Sequence, residues 1–303
     1  MKYIVVSESA RSAQELVAAA KAQGATEVVA VQFSEEDAAT VARTGADRVV
    51  VAEVEEGGLK ESAYSIAVAE AEKAGAAVVL LSTSRRMVNA SALVAQALGT
   101  APVVDVKSLD GGAASHIKYG GKIVVADRPA GAYAVFVVSS GSYEPAPADG
   151  EPCPVEHVSV AAIPGARVAG RKEKEASSVD LTAAKTIVCV GRGVNTREGF
   201  ELCRDLQRAV RGEMGCTRPV TETADPFMPR ETYIGASGVC VKPDLFISVA
   251  ASGQTQHTMG MYESGRVVVI DKNKDALFFN ACDYGIVGDY KDIVPAITAA
   301  LGA

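Results

Sequence analysis

Short apolar runs and Ala-rich amphipathic stretches alternate through the first third of the chain. "KYIVVS", "TEVVAVQF", "DRVVVAE" and "AAVVLLS" are nearly unbroken in apolar residues. Between and after them lie "ARSAQELVAAAKAQG", "SEEDAATVARTG", "KESAYSIAVAEAEKAG" and "RRMVNASALVAQALG", with apolar residues at helical spacing. The pattern predicts four strand–helix units. Strands apolar on both faces belong to a parallel sheet covered by helices on both sides. Ser34 precedes the second helix as an N-cap, and Gly24 and Gly45 stand where helices should close.

The pattern then changes. "APVVDVKSL", "HIKYGGKIVVADRP" and "AYAVFVVSSGSY" read as strands with no helix between them, a strand-rich arm over residues 101–140 with a hairpin at Tyr119-Gly120-Gly121. "YEPAPADGEPCP" reads as a loop, "HVSVAAI" as one more strand, and "PGARVAGRKEKEASSVD" as a linker. Alternation resumes with the strand "AKTIVCVG" and the helix "NTREGFELCRDLQRAVRG", capped by Asn195 or Thr196. The short strand "GEMGC", the strand "DLFISVA" with a short helix after it, the strand "GRVVVIDKN" and the helix "KDIVPAITAAL" complete the chain. The expected fold is α/β in two domains. An N-terminal nucleotide-binding-like parallel sheet with an added strand-rich arm spans 1–183, its linker at about 164–184. A C-terminal doubly wound, Rossmann-like domain spans 184–303.

Composition narrows the function classes. The 303 residues are 48% hydrophobic with no Trp, so the cores are built of Ala, Val, Ile and Leu. A net charge of −7 argues against a nucleic-acid surface. The cluster "RKEKE" at 171–175 interleaves both signs and reads as a solvated linker. The start "MKYIVVSESARS" lacks a signal-peptide pattern, and no charge-free apolar run is long enough to span a membrane. Six cysteines without a Cys-x-x-Cys pair fit a bacterial cytoplasmic protein with reduced thiols and no bound metal. His116 and His157 read as filler, and Arg85-Arg86 as a solvated helix start.

Ligands of open parallel sheets sit beyond the carboxyl ends of the strands. In the second domain those ends carry Gly191-Arg192-Gly193, Thr217-Arg218, the Gly235-Ala236-Ser237-Gly238 turn, Ser252-Gly253-Gln254-Thr255-Gln256-His257, Asp271 and Asp289. Glycines let backbone N–H groups approach phosphates, and arginines and hydroxyls supply further donors. A large, phosphate-bearing, multi-contact ligand is implied. No simple NAD fingerprint is present, since "GRGVNTREG" has Thr196 where the third glycine belongs. A Gly-Lys-Ser/Thr phosphate loop and a Gly-x-Ser-x-Gly elbow are missing too.

The long stretch "KPDLFISVAASGQTQHTMGMYESGRVVVIDKNKDALFFNACDYGIVGDYKDIVPAITAAL" resembles the FAD-binding signature of electron transfer flavoprotein alpha subunits. "SGQTQH" is similar to the family's Ser-Gly-x-x-Gln-His core, and "VGRGV" and "CTRPV" stand where the family has Gly-Arg-Gly and Ser-Arg elements. The extended "CTRPVTETADPFMPRETYIGASG" resembles the FixB-like branch, associated with anaerobic carnitine or fatty-acid metabolism. The resemblance covers the whole chain in layout and about 185–303 in motif.

That resemblance implies FAD as cofactor. It places Arg218 near the isoalloxazine, Ser237 as donor to flavin N5, and His257 at the N1/C2=O end. Ser252 and Gln256 would hold the ribityl–pyrophosphate region, and Asp271 and Asp289 the adenosine end. Arg192, Thr217, Gly235, Ala236, Gly238, Gly253, Gln254 and Thr255 complete the implied cofactor-binding set. Two positions depart from the family pattern. Asp271 stands where Asn is common and can accept from a ribose hydroxyl but not donate. Ser237 stands where Thr is frequent and keeps the hydroxyl.

The implied function is electron carriage. FAD would shuttle electrons between an acyl-CoA dehydrogenase-type partner and another redox protein, with an electron transfer flavoprotein beta subunit docked largely on the first domain. The chain would catalyse no substrate turnover of its own, and no acid–base pair for a carbon substrate is apparent. A flavin-dependent oxidoreductase with its own substrate and a non-redox nucleotide-binding regulator are the alternatives.

Overall fold

The computed structural model describes residues 1–119, 123–170, 180–222 and 227–302. The tip of the expected hairpin at Gly120-Gly121, the basic cluster at 171–175 and the middle of the expected linker lie outside the described residues. The chain divides into two compact units, Met1–Lys172 and Glu173–Ala303.

The first unit is one mixed sheet of nine strands. β1 (Lys2–Val6), β2 (Glu27–Gln32), β3 (Arg48–Val54) and β4 (Ala77–Ser82) are the expected parallel strands. They alternate with α1 (Ala10–Ala22), α2 (Glu35–Val41), α3 (Tyr64–Ala74) and α4 (Arg85–Ala97). Then come β5 (Pro102–Asp110), β6 (Ala113–Lys118), β7 (Ile123–Asp127), β8 (Tyr133–Val138) and β9 (Val155–Val160). The sheet order is β7-β6-β5-β8-β4-β1-β2-β3-β9. Central strands are sealed on both faces: all six residues of β4 are buried, and Ile4, Val5 and Leu80 are wholly so. Val5 stands between Ala30 and Leu80 in parallel register.

Local chemistry starts the helices where the sequence suggests. Ser9, Ser34 and Ser84 accept from the backbone N–H groups of Ser12, Asp37 and Met87. Some features differ from the sequence reading. α2 ends at Val41, four residues before Gly45, with a turn between. The strand-rich arm is continuous with the main sheet: β8 pairs in parallel with both β4 and β5, and only β5-β6-β7 is antiparallel.

A charge cluster ties the amino end of this sheet together. Glu70 of α3 is buried and meets Lys2 Nζ at 2.7 Å, Arg48 Nη2 at 2.6 Å and Lys73 Nζ at 3.0 Å. Arg48 also reaches Glu156 of the edge strand β9 at 2.7 Å. Burial alone would raise the Glu70 pKa, but its cationic partners hold it at about 2. At the opposite end of the sheet, Glu8 accepts from Ser84 at 2.6 Å and pairs with Arg86 at 2.8 Å. Arg86 is therefore engaged with the chain's own carboxylate.

The second unit is a five-stranded, wholly parallel sheet. Its elements are β10 (Thr186–Val190), α5 (Arg197–Ala209), β11 (Glu213–Cys216), α6 (Arg218–Thr221), β12 (Leu245–Val249), α7 (Thr255–Thr258), β13 (Arg266–Asp271), β14 (Tyr284–Val287) and α8 (Tyr290–Ala300). The order is β11-β10-β12-β13-β14. Thr196 caps α5 by accepting from Gly199 N at 3.1 Å. α5 turns Phe200, Cys203 and Leu206 onto one face of the sheet, against Val188, Val190 and Val249. The other face packs Ile187, Phe246, Val269 and Phe278. The sequence reading did not foresee β14, a short edge strand with mostly exposed residues.

Candidate functional site

In the second unit β10 has β11 on one side and β12 on the other, while the chain runs β10, β11, β12. The crevice where the order reverses, between β10 and β12, is where doubly wound sheets hold ligands. The loops after these two strands are locked together there. Gly191 N donates to Val249 O at 2.8 Å and Gly193 N to Ala250 O at 3.1 Å. Ala250 has φ of +52°, unusual for a residue with a side chain.

Gly253 follows with φ of +74°. A Cβ there would lie 2.4 Å from Phe278 Cβ and 2.5 Å from its backbone N and Cα. Only glycine meets both the conformation and the contact. The chain then enters α7 with Ser252, Gln254, Thr255 and Gln256 exposed.

The Gly235–Gly238 turn is hung on the β11 edge. Cys216 bridges Tyr233 in parallel, and Ile234 N donates to Cys216 O at 2.9 Å. Ala236 N donates to Gln256 O at 2.7 Å, so this turn is joined to the start of α7. Ala236, Ser237 and Gly238 are exposed. Arg192 and Arg218 are exposed too, Arg218 with its Nε 2.7 Å from Glu222. Thr217 is largely buried, and its N–H donates to Val190 O at 3.0 Å. At the far edge, Asp271 accepts from Asn273 N at 2.8 Å, and Asp289 caps α8 by accepting from Lys291 N at 2.9 Å.

His257 differs from the expectation of a donor facing the ligand. It is 8% exposed, and its Nδ1 donates to the Ile234 carbonyl at 2.8 Å. Its Nε2 faces Cys189 Sγ at 3.8 Å, and Phe278 meets the ring edge-on at 5.6 Å. Burial lowers its pKa, against the pull of the Ile234 carbonyl, so the imidazole is neutral at pH 7. With its one proton on Nδ1 committed inward, the ring braces the 234–238 turn from beneath. Burial also raises the thiols of Cys189, Cys203 and Cys216, the last two to about 12 and about 11, which makes them packing groups.

The predicted residues thus fall along one sheet edge in strand order. Arg218 and the Ser237 turn lie at the β11 side, Arg192 and Ser252 at the switch point, Asp271 and Asp289 at the β13–β14 side. At about 4.8 Å per strand the edge is about 19 Å wide. Cationic and hydroxyl donors occupy the β11 side and the middle, and carboxylate acceptors the far end. That donor set fits the phosphates and ribose hydroxyls of an extended dinucleotide, and the closely approached glycine turns leave its backbone bare. Sequence reasoning missed Tyr233, Ala250 and Phe278, which shape the site from below. Nothing in their residue types announces that role. Among the described residues no His, Cys, Asp or Glu cluster could hold a metal ion.

A parallel sheet of this order with such an edge defines a doubly wound α/β protein with a ligand-binding crevice at its switch point. Comparison with known proteins narrows the class. The family model described as "Electron transfer flavoprotein FAD-binding domain" matches residues 180–262, and "Electron transfer flavoprotein domain" matches residues 5–163. The chain is similar to Protein FixB of Salmonella typhimurium, 33% identical over 305 residues covering 98% of this chain and 97% of that one. It is also similar to Protein FixB of Escherichia coli (strain 55989 / EAEC), 36% identical over 230 residues covering 74% and 73%. The chain belongs to the electron transfer flavoprotein family as an alpha subunit of the FixB-like branch, and its cofactor is FAD. Among the described residues no helix is long and apolar enough to cross a membrane.

Proposed function

We propose that this electron transfer flavoprotein subunit holds FAD along the carboxyl edge of its second unit. Paired with a beta subunit that docks mainly on the first unit, it carries electrons from an acyl-CoA dehydrogenase-type partner to a second redox protein in the bacterial cytoplasm. The observation that carries this reading is the polar edge at the β10–β12 switch point, built on Gly253 and the Ala250 turn. When bound, FAD supplies the electron-transfer chemistry, and the protein supplies binding, orientation and local electrostatics.

The chain's own residues divide that work. Arg192 at the switch point, with Ser252, Gln254, Thr255 and Gln256, faces the phosphates. Gly253 keeps the chain close beneath them. Arg218 and the Gly235-Ala236-Ser237-Gly238 turn face the ring system, and Thr217 fixes the strand end that presents Arg218. Asp271 and Asp289 accept from hydroxyls at the adenosine end. Asp271 has one carboxylate oxygen on Asn273 N and keeps acceptor capacity on the other. His257 serves by holding Ile234, and through it the Ser237 turn, in place.

The electron route is tested with the co-purified alpha–beta complex. Addition of an acyl-CoA with its dehydrogenase bleaches the flavin absorbance, while acyl-CoA alone leaves it unchanged. Bleaching by an organic substrate with no dehydrogenase present would make the complex an oxidoreductase instead. A colourless complex that binds ATP would make the chain a nucleotide-binding regulator.

A further inference from the structure

Ser237 is exposed, and on the reading above it meets FAD; beneath it lies a phenol which that reading leaves without a role. Tyr233 is 8% exposed and sits in the apolar cluster with Val190, Cys216, Met228 and Val249. Its backbone bridges Cys216, and its carbonyl accepts from Val239 N at 2.9 Å. The single proton of the hydroxyl is shared between the Ser237 carbonyl and Ser237 Oγ, the latter 3.0 Å away. The ring lies against Gly238, where a Cβ would come within 2.4 Å of the ring's Cε2. The turn that carries Ser237 is therefore folded directly onto the Tyr233 side chain.

We propose that Tyr233 is a positioning residue for the FAD site, its buried phenol acting as the donor that orients the Ser237 hydroxyl. A serine oxygen has one proton and two lone pairs. With the phenol proton shared between the carbonyl and the hydroxyl oxygen of Ser237, that hydroxyl keeps its own proton for an acceptor on the solvent side. Accepting one hydrogen bond also strengthens the next one given. The phenol anchors the same residue's main-chain oxygen, which fixes the turn as well as the rotor. Tyr233 acts on the cofactor only through Ser237. This rests on the reading that Ser237 faces FAD, and the experiment separates the two.

The test uses the alpha–beta complex reconstituted with FAD, in wild-type form and as Tyr233→Phe, Ser237→Ala and the double variant. Phenylalanine keeps the ring that Gly238 packs against and removes only the hydroxyl. Two quantities are read: the FAD dissociation constant, and the position of the visible flavin bands at saturating FAD. Ser237→Ala raises the dissociation constant and shifts the bands. Tyr233→Phe raises the dissociation constant about fivefold, the worth of one neutral hydrogen bond, and shifts the bands in the same direction. Removing the phenol in the Ser237→Ala background costs less than it does in the wild type, because only the contact with the main-chain carbonyl is left to lose. If Tyr233→Phe leaves both quantities unchanged while Ser237→Ala alters them, the proposal is overturned. It is equally overturned if the Tyr233→Phe effect persists undiminished in the Ser237→Ala background. If Ser237→Ala changes neither quantity, Ser237 does not face FAD, and the underlying site assignment fails first.

Discussion

Replacing Glu70 by Gln keeps the volume of a buried side chain and removes the charge on which Lys2, Arg48 and Lys73 converge. The side chain is 5% exposed and its partners Lys2 and Arg48 are largely covered, so solvent screens those two pairs little, while the exposed Lys73 adds less. In the fold its pKa is about 2, against 4.5 for the ordinary group. At about 1.4 kcal/mol per unit, that difference corresponds to roughly 3 kcal/mol of stability at neutral pH. An independent expectation, about 3–5 kcal/mol for breaking a buried ion pair on one side, brackets it. Because the folded pKa is depressed, this stabilisation is fully present above the unfolded value of 4.5 and is lost as pH falls toward 2. Glu70→Gln should therefore lower the stability of the first unit by about 3 kcal/mol at pH 7. The gap to wild type should shrink to roughly 2 kcal/mol near pH 3.5. Urea unfolding of both proteins at the two pH values measures it. A gap below about 0.5 kcal/mol at pH 7, the size of an exposed ion pair, would refute the reasoning, as would a gap indifferent to pH.

The remaining predictions concern the second unit. Arg192→Ala and Arg218→Ala remove exposed side chains, so melting temperatures should stay near wild type. FAD dissociation constants should rise on the order of 10- to 100-fold, as for a lost charged hydrogen bond, and titration of the apo complex reads both. His257→Phe should weaken FAD binding by unlocking the Ile234–Gly238 turn. Since the folded pKa of His257 is lowered, the wild-type protein should lose stability as pH drops below about 6.5, read by urea titration. The variant should be flatter over that range in the same titration. At pH 8 the native protein should be alkylated at exposed Cys240 first, while buried Cys189, Cys203 and Cys216 should react only on unfolding. Peptide mass mapping after a short iodoacetamide pulse distinguishes them.

What the sequence disclosed follows from which interactions are local. The apolar runs of β1, β2, β4, β10 and β12 stand out because parallel strands are buried on both faces, and Ser34 and Thr196 mark helix starts because the cap bond spans only three residues. β14 escaped notice because "YGIV" at a sheet edge has neither a buried run nor clean alternation. The place of β8 between β4 and β5 was also hidden, since pairing order depends on packing between distant segments. At the site, the glycines, hydroxyls and arginines were legible as types suited to a phosphate-bearing ligand. The inward turn of His257 was not, because the Ile234 carbonyl it meets lies 23 residues away along the chain. Tyr233 escaped for a related reason: its contact with Ser237 exists only once the turn folds back over the ring.

The most direct test of the FAD site is the flavin content of the alpha–beta complex with and without a side chain at Gly253. Gly253→Ala must place a Cβ against the Phe278 backbone at 2.5 Å while holding φ at +74°. The left-handed conformation alone costs about 1–2 kcal/mol, and Phe278 cannot yield without moving the chain beneath the switch-point loop. Absorbance of the purified complexes, with the released flavin identified after denaturation, reads the outcome. One FAD per wild-type complex is expected, with a large loss of it in a Gly253→Ala complex that still assembles. Full FAD occupancy in that variant would contradict the assignment of the cofactor to this edge.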